Sequence, residues 1–269
     1  FKIAMAGLAV ERGLSTYINC PADGYLAPGA RRPIRDHEYY SYERRGMRWP
    51  GFGVIDLDTA LSKSANSYFA NAGVQCGTEA FNDLAERLCF NARIPIFEDE
   101  SGSISSQKGN IPHLGRGERR ELSQLSIGQG RLTTTPLHLA MMVAAIANEG
   151  RMFQPRLIET DPPLELPRLF TPSAAKRVVQ AMRYAVTSGT GINADLPNLE
   201  VCGKTGTAQN PGGDDHAWFV CFAPRKNPTL ALAVLLENSG FGSESALPVA
   251  TEILKQNFAN EQLRAKEAK

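Results

Sequence analysis

The run Leu199-Glu200-Val201-Cys202-Gly203-Lys204-Thr205-Gly206-Thr207-Ala208-Gln209 is of strand length and carries a lysine between glycines. Asn210-Pro211-Gly212-Gly213-Asp214 follows it, then the apolar run Ala217 to Ala223, a second turn-rich stretch from Pro224 to Pro228, and the apolar run Leu230 to Leu236. Strand-length runs separated by proline and glycine turn chemistry predict three consecutive antiparallel strands. Beyond them Leu247, Ala250, Leu254 and Phe258 recur at spacings of three and four, which predicts an amphipathic closing helix. The charged tail after Asn260 is expected to fray.

Upstream of this meander the pattern is helical. Phe1 to Arg12 is apolar on most faces and stops at Gly13, as a buried helix ended by glycine would. Asp56 is placed to cap a helix through Leu57, Ala60 and Leu61; a break near Ser64 precedes a further helical pattern through Tyr68, Phe69 and Val74 to Gly77. Thr78 reads as the cap of a helix carrying Phe81, Leu84 and Leu88. Thr135-Pro136 and Thr171-Pro172 each open a helix with proline in its first turn, the former running through Ala147 to Gly150. Thr16 to Gly53 and Glu98 to Arg120 are rich in proline, glycine or serine without periodicity and are expected to be loops. A helical middle followed by consecutive strands and a helix is α+β, not a βαβ alternation. We expect a helical lobe over roughly 54–150 and an α/β lobe mainly over 171–260.

Composition excludes several classes. The 269 residues are 42% hydrophobic and 21% charged, enough to build a core. A net charge of +1, with only short basic stretches such as Arg31-Arg32 and Arg119-Arg120, argues against nucleic acid as a partner. No apolar run approaches the ~20 residues of a membrane span. The chain opens inside a helix without an initiator methionine, so the expectation is a fragment, with any membrane anchor outside it. Five cysteines are too few for a disulfide scaffold and odd in number; packed thiols are expected, including Cys202 and Cys221, for which a cross-strand bridge is conceivable but geometrically demanding.

Three small motifs carry chemistry, and none suffices alone. Ser64-Ala65-Asn66 sits at the break between two helices, where such residues ordinarily cap. Lys204-Thr205-Gly206-Thr207 lies in a strand, where flanking glycines suggest something approaching the backbone closely. Lys2 lies on the first helix, one turn after a position two residues ahead of Phe1; a serine there would share its face. Ser-x-x-Lys, Ser-x-Asn and Lys-Thr-Gly, in that order, resemble the motif set of serine β-lactamases and penicillin-binding proteins.

More of the chain carries the likeness. Ala60 to Phe69 resembles the corresponding helix pair of class B penicillin-binding proteins, and Ile127-Gly128-Gln129-Gly130 with Thr135-Pro136-Leu137 resembles a further signature of that family. Gly203 to Gln209, His216 to Val220, Phe222-Ala223-Pro224 and Leu236-Glu237-Asn238 resemble its Lys-Thr-Gly strand and the strands beside it. The likeness is collinear from Phe1 to about Phe258 and is nearest to the elongation-type branch, with the division-type branch left open.

The resemblance implies the serine β-lactamase and penicillin-binding-protein transpeptidase fold, an antiparallel sheet flanked by helices beside an all-helical lobe. It implies an acyl-enzyme transpeptidase acting on the D-Ala-D-Ala end of peptidoglycan stem peptides, inhibited by β-lactams, facing the periplasm or the outer side of the cytoplasmic membrane. A SEDS-family glycosyltransferase partner is implied too. Lys2 would be the base for the upstream serine, its pKa depressed by burial or by Lys204; Lys204, Thr205 and Thr207 would meet the substrate's carboxylate. Ser64 would relay a proton to the departing nitrogen and Asn66 would orient the substrate. Gly206 would let the substrate lie along the strand edge, with the Thr207 N–H in the oxyanion hole.

No cofactor is implied. Some family members hold a metal with Cys, Asp and His after the first helix; here Cys20, Asp36 and His37 are available, yet Phe52 and Ala65 stand where family ligands often do, and no metal is expected. His216 is read as polar packing, not as a base. Two rival readings remain at this stage: a serine β-lactamase, and a non-catalytic β-lactam sensor.

Overall fold

The computed structural model describes residues 1–14, 17–100, 102–210 and 212–267, with side chains described as far as residue 260. In chain order the elements are α1 (Lys2–Glu11), β1 (Ile18–Pro21), α2 (His37–Arg44), β2 (Gly51–Ile55), α3 (Leu57–Ser62), α4 (Asn66–Cys76), α5 (Thr78–Arg87), β3 (Pro95–Asp99), β4 (Gly102–Ser105), α6 (Arg119–Ser126), α7 (Pro136–Ala147), α8 (Pro172–Ser188), β5 (Cys202–Ala208), β6 (His216–Ala223), β7 (Leu230–Leu236) and α9 (Ala246–Glu267). A short 3-10 turn at Ile192–Ala194 precedes β5. The architecture is α+β, as its sequence pattern predicts.

The three-stranded sheet has the order β5-β6-β7, antiparallel throughout, with Lys204 opposite Val220 and Gly206 opposite Trp218. Strand alternation sends its apolar residues to both faces. Cys202, Val220 and Phe222 join a cluster that also takes the buried faces of α1, α3, α4, α5, α7 and α8. Phe219, Cys221, Ala223 and Val234 face the other way, onto Leu247, Ala250 and Leu254 of α9. The sheet is therefore a middle layer, and its first strand is an outer edge.

That alternation settles the cysteines. Cys202 pairs with Phe222 and Gly203 with Cys221, so the two thiols point to opposite faces. All five cysteines are free. Burial pushes the Cys202 and Cys221 thiols each up to about 12.

The helix starts follow their caps. Asp56 accepts from the Thr59 N–H at 2.9 Å, Thr135 from His138 and Thr171 from Ala174. Thr78, expected as a cap, is instead the first helical residue, because Gly77 at φ +85° ends α4 and opens α5. α9 continues through Glu267 where fraying was expected, and residues 268–269 lie outside the described residues.

The two expected loops are corrected in part. The stretch from Thr16 to Gly53 holds β1, α2 and most of β2, with Ile18 opposite Ile55 and Cys20 opposite Gly53; Thr16 itself lies outside the described residues. The strands are four and five residues long and 29 residues of intervening chain hide the pairing. Glu98 to Arg120 likewise contains most of a hairpin, with Phe97 opposite Ile104 and Asp99 opposite Gly102.

Candidate active site

The first half of the site is built where α3 ends. The Ser64 N–H bonds to the Leu61 carbonyl at 3.2 Å and the Ala65 N–H to the Ala60 carbonyl at 2.9 Å. These two bonds define a Schellman helix end, whose turning residue is left-handed and usually glycine. Here it is Ser64, at φ +56°. A non-glycine residue held there costs on the order of 1 kcal/mol, so the hydroxyl is retained against the local backbone preference.

α4 starts two residues later without a side-chain cap of its own. Asp36 supplies it from outside: one oxygen accepts from the Ser67 N–H at 3.0 Å and the other from the Ser67 hydroxyl at 2.5 Å. This carboxylate is 2% exposed and also stands at the start of α2, so two positive helix ends face it. The Asn66 amide donates to the Arg35 carbonyl at 3.0 Å. The elbow is thereby tied to the segment leading into α2.

Lys2 reaches into this elbow from the head of α1. Its Nζ donates to the Ser64 carbonyl at 2.7 Å, the Ser64 Oγ at 3.0 Å and the Asn66 Oδ1 at 2.7 Å. An ammonium has three protons, and all three are placed. Burial lowers the Lys2 pKa to about 8, while the Asp36 and Glu38 carboxylates pull it part of the way back. Gly128 of the Ile-Gly-Gln-Gly motif, at φ +80°, lies against Phe1; a Cβ there would come within 3.2 Å of the Phe1 Cβ.

The second half is β5. Lys204 is 5% exposed and bonds to the Thr205 carbonyl at 3.0 Å, the Thr205 hydroxyl at 3.3 Å and the Thr190 hydroxyl at 3.3 Å. Burial, then repulsion from Lys2, lowers its pKa to about 7. Of the two expected causes of the Lys2 shift, burial is the one that acts: desolvation comes first for both amines, and repulsion from Lys2 comes second for Lys204.

Thr190 joins the halves and was not singled out in the sequence. Its hydroxyl lies 2.6 Å from that of Thr205, and its N–H bonds to the Ser62 carbonyl at 3.4 Å, just before the elbow. The signal was present in Gly189-Thr190-Gly191: a Cβ at Gly189 would stand 2.6 Å from the Ser62 oxygen.

The remaining expected residues divide. Thr205 stands with Lys204, whereas the Thr207 hydroxyl takes the Gly242 N–H at 3.5 Å. The flanking glycines answer to packing inside the fold. A Cβ at Gly203 would come within 2.7 Å of the Phe219 ring, and one at Gly206 within 3.2 Å of the Trp218 Cβ. Gly242 approaches the Gly206 and Trp218 carbonyls so closely that no Cβ fits there, and the neighbouring Phe241 ring meets His37 edge-on at 5.7 Å. The loop before α9 therefore links β5 to α2. His216 accepts the Asn238 N–H at 3.1 Å and holds a turn.

The metal candidates do not assemble. Asp36 is committed to Ser67, His37 packs on Phe241, and burial raises the Cys20 thiol to about 11. Among the described residues no three His, Cys, Asp or Glu side chains are grouped to hold a metal ion.

Two buried amines, a strained serine hydroxyl, an oriented amide and an open strand edge thus stand around one site. The profile of the family described as "Penicillin binding protein transpeptidase domain" matches residues 1–257. The chain belongs to this family. Among curated transpeptidase-domain relatives, the peptidoglycan D,D-transpeptidase MrdA of Haemophilus influenzae is 30% identical over 243 residues, 78% of this chain and 37% of the relative. The PbpA transpeptidase of Mycolicibacterium smegmatis is 29% identical over 261 residues, 89% of this chain and 49% of the relative. This transpeptidase domain spans less than half the length of either. Its fold superposes on Pseudomonas aeruginosa PBP2, crystallised with WCK 5153, at a TM-score of 0.78, with 27% identity, covering 95% of this chain and 59% of that one.

Proposed function

We propose that this domain is the acyl-transfer half of a peptidoglycan D,D-transpeptidase. The observation that carries the reading is the Lys2 ammonium bonded at once to the Ser64 hydroxyl and the Asn66 amide oxygen, 62 and 64 residues away in the chain. The attacking serine is assigned to the position one helical turn ahead of Lys2, in the part of the protein preceding Phe1.

The step sequence follows from the donor inventory. Neutral Lys2 takes the serine proton as the serine Oγ attacks the carbonyl of the penultimate D-Ala. The C–N bond to the terminal D-Ala breaks, and its nitrogen receives that proton through the Ser64 hydroxyl, which is within hydrogen-bond reach of Lys2. The amine of a second stem then attacks the ester, loses a proton to the same relay, and the serine recovers its own. Lys204 has only neutral oxygen partners, so its charge suits the substrate's terminal carboxylate. An anion beside Lys204 favours its protonated form, which by repulsion favours neutral Lys2. Substrate binding would therefore select the reactive proton arrangement. The outer edge of β5 is open for the stem peptide to add as a strand.

The reading extends to β-lactam acylation of the same serine, which the match to a penicillin-binding transpeptidase family supports, and, as the family resemblance implies, to a membrane anchor outside this chain and a SEDS-family polymerase partner. The test is mass spectrometry of the full-length protein after incubation with a penicillin, alongside nitrocefin turnover. One stable adduct on the serine preceding Phe1 is expected. Sustained nitrocefin hydrolysis would make the protein a β-lactamase, and a stem-peptide assay without cross-linked product would make it a sensor.

A further inference from the structure

The end of α8 is sewn to the end of α3. The Ser62 hydroxyl, in a residue 2% exposed, donates to the Ser188 carbonyl at 3.1 Å, and the Ser62 carbonyl accepts the Thr190 N–H at 3.4 Å. On the other side Arg183 donates to the Val201 carbonyl at 3.0 Å and pairs with Asp195 at 2.8 Å, which ties the last turns of α8 to the approach to β5. Thr190 is therefore an exposed side chain on a backbone held from two directions.

What it presents is a hydroxyl. The Thr190 and Thr205 oxygens lie 2.6 Å apart, and the Lys204 Nζ donates to each at 3.3 Å. Lys204 is 5% exposed, Thr205 half-buried and Thr190 exposed. The ammonium is thus the buried corner of a triangle whose two hydroxyl corners face solvent. We propose that Thr190 is a direct ligand of the substrate's terminal carboxylate, its hydroxyl and that of Thr205 each donating to one carboxylate oxygen above the Lys204 ammonium. The inference rests on the transpeptidase reading above.

The proton inventory supports it. Each threonine hydroxyl has one proton to give and two lone pairs. In the free triangle one proton is spent between the two hydroxyls, and the other has no protein acceptor among the described residues. A carboxylate takes both: each hydroxyl turns its proton outward and continues to accept from the ammonium, which strengthens it as a donor. One bond between neutral hydroxyls is exchanged for two to an ion.

The strand motif does not supply this second hydroxyl. Thr207 receives the Gly242 N–H at 3.5 Å and makes no bond to Lys204, whose three partners are Thr190 and the carbonyl and hydroxyl of Thr205. A carboxamide or an ester brings no charge to the pair, so Thr190 selects for a free terminal carboxylate.

The experiment compares benzylpenicillin with its methyl ester in single-turnover acylation of the full-length protein. The parent is expected to prefer the free acid. In Thr190→Val the acid should react about fivefold more slowly and the ester within about twofold of the parent, so that most of that loss appears in the preference. Thr190→Ser keeps the hydroxyl and should keep the preference. A Thr190 that only holds the fold would slow both compounds alike. That result, an unchanged preference in Thr190→Val, or a lost one in Thr190→Ser, would overturn the carboxylate role. Continuous hydrolysis of penicillin by the parent, in place of a retained adduct, would overturn the transpeptidase reading instead, and the acid-to-ester ratio read on turnover would still decide Thr190.

Discussion

The two lysines of the site are both buried amines, yet their surroundings differ in kind. Lys2 has three short bonds, of 2.7 to 3.0 Å, and the charges of Asp36 and Glu38 nearby. Lys204 has three longer ones, of 3.0 to 3.3 Å, all to neutral threonine oxygens. The first is a donor whose protons are fully placed, beside a hydroxyl that can take or return one. The second has only hydroxyl and carbonyl partners among the described residues, and its pKa of about 7 leaves it ready to take its charge beside an arriving anion. The difference teaches which amine handles protons and which awaits an anion, although the two residues are chemically identical.

The sharpest way to break that division is Lys2→Met in the full-length protein. Penicillin acylation should fall about a thousandfold, the scale of a lost general base. A loss under tenfold would remove Lys2 from the proton path.

Ser64→Gly separates chemistry from backbone at the same elbow. Acylation and cross-linking should fall about a hundredfold with the relay hydroxyl. Stability should nevertheless rise by about 1 kcal/mol, since glycine suits the left-handed turn, raising Tm by roughly 2–4 °C. A fall in Tm would show that the hydroxyl, not the turn, holds the elbow.

Lys204→Met addresses the other amine. Acylation should weaken about ten- to a hundredfold, the worth of one charge-assisted bond to a carboxylate. Stability should move the opposite way. The Lys204 pKa is depressed on folding, so the native state binds fewer protons than the unfolded chain between about 7 and the ordinary lysine value. The charged form therefore costs stability in full below about 7, and the cost fades as pH rises. The variant should gain more over the parent at pH 6 than at pH 10, measured as a difference in urea midpoints. Thr190→Val, which removes the hydroxyl partner of both Lys204 and Thr205 and keeps the backbone bond to Ser62, should cost about fivefold, near 1 kcal/mol, in acylation.

How much of this was legible in the sequence depends on the range of the signal. The three strands after Cys202, the capped starts at Asp56, Thr135 and Thr171, and the break at Ser64 all rest on neighbours within a few residues. The β1–β2 ribbon is not of that kind: Cys20 meets Gly53 across 33 residues, and glycine and proline mask both strands. The same holds for the site. Lys2, Ser64, Asn66 and Lys204 were found through motif order, whereas Thr190 left only its flanking glycines as a signal and Asp36 acts through contacts that no local pattern encodes. The glycines of β5 were noticed for a ligand, and they also accommodate Phe219, Trp218 and Gly242.

The central claim is that burial leaves Lys2 able to lose its proton near neutrality, although Asp36 and Glu38 pull its pKa part of the way back. Single-turnover penicillin acylation against pH, in the parent and in Lys204→Met, tests it most directly. At low penicillin, where the free protein titrates, the parent rate should climb through a limb near pH 8; Lys204, whose own pKa is about 7, is largely neutral there, so its removal should lower the rate and leave that limb in place. A parent limb at the ordinary lysine value, or one that disappears with Lys204, would contradict Lys2 as the base.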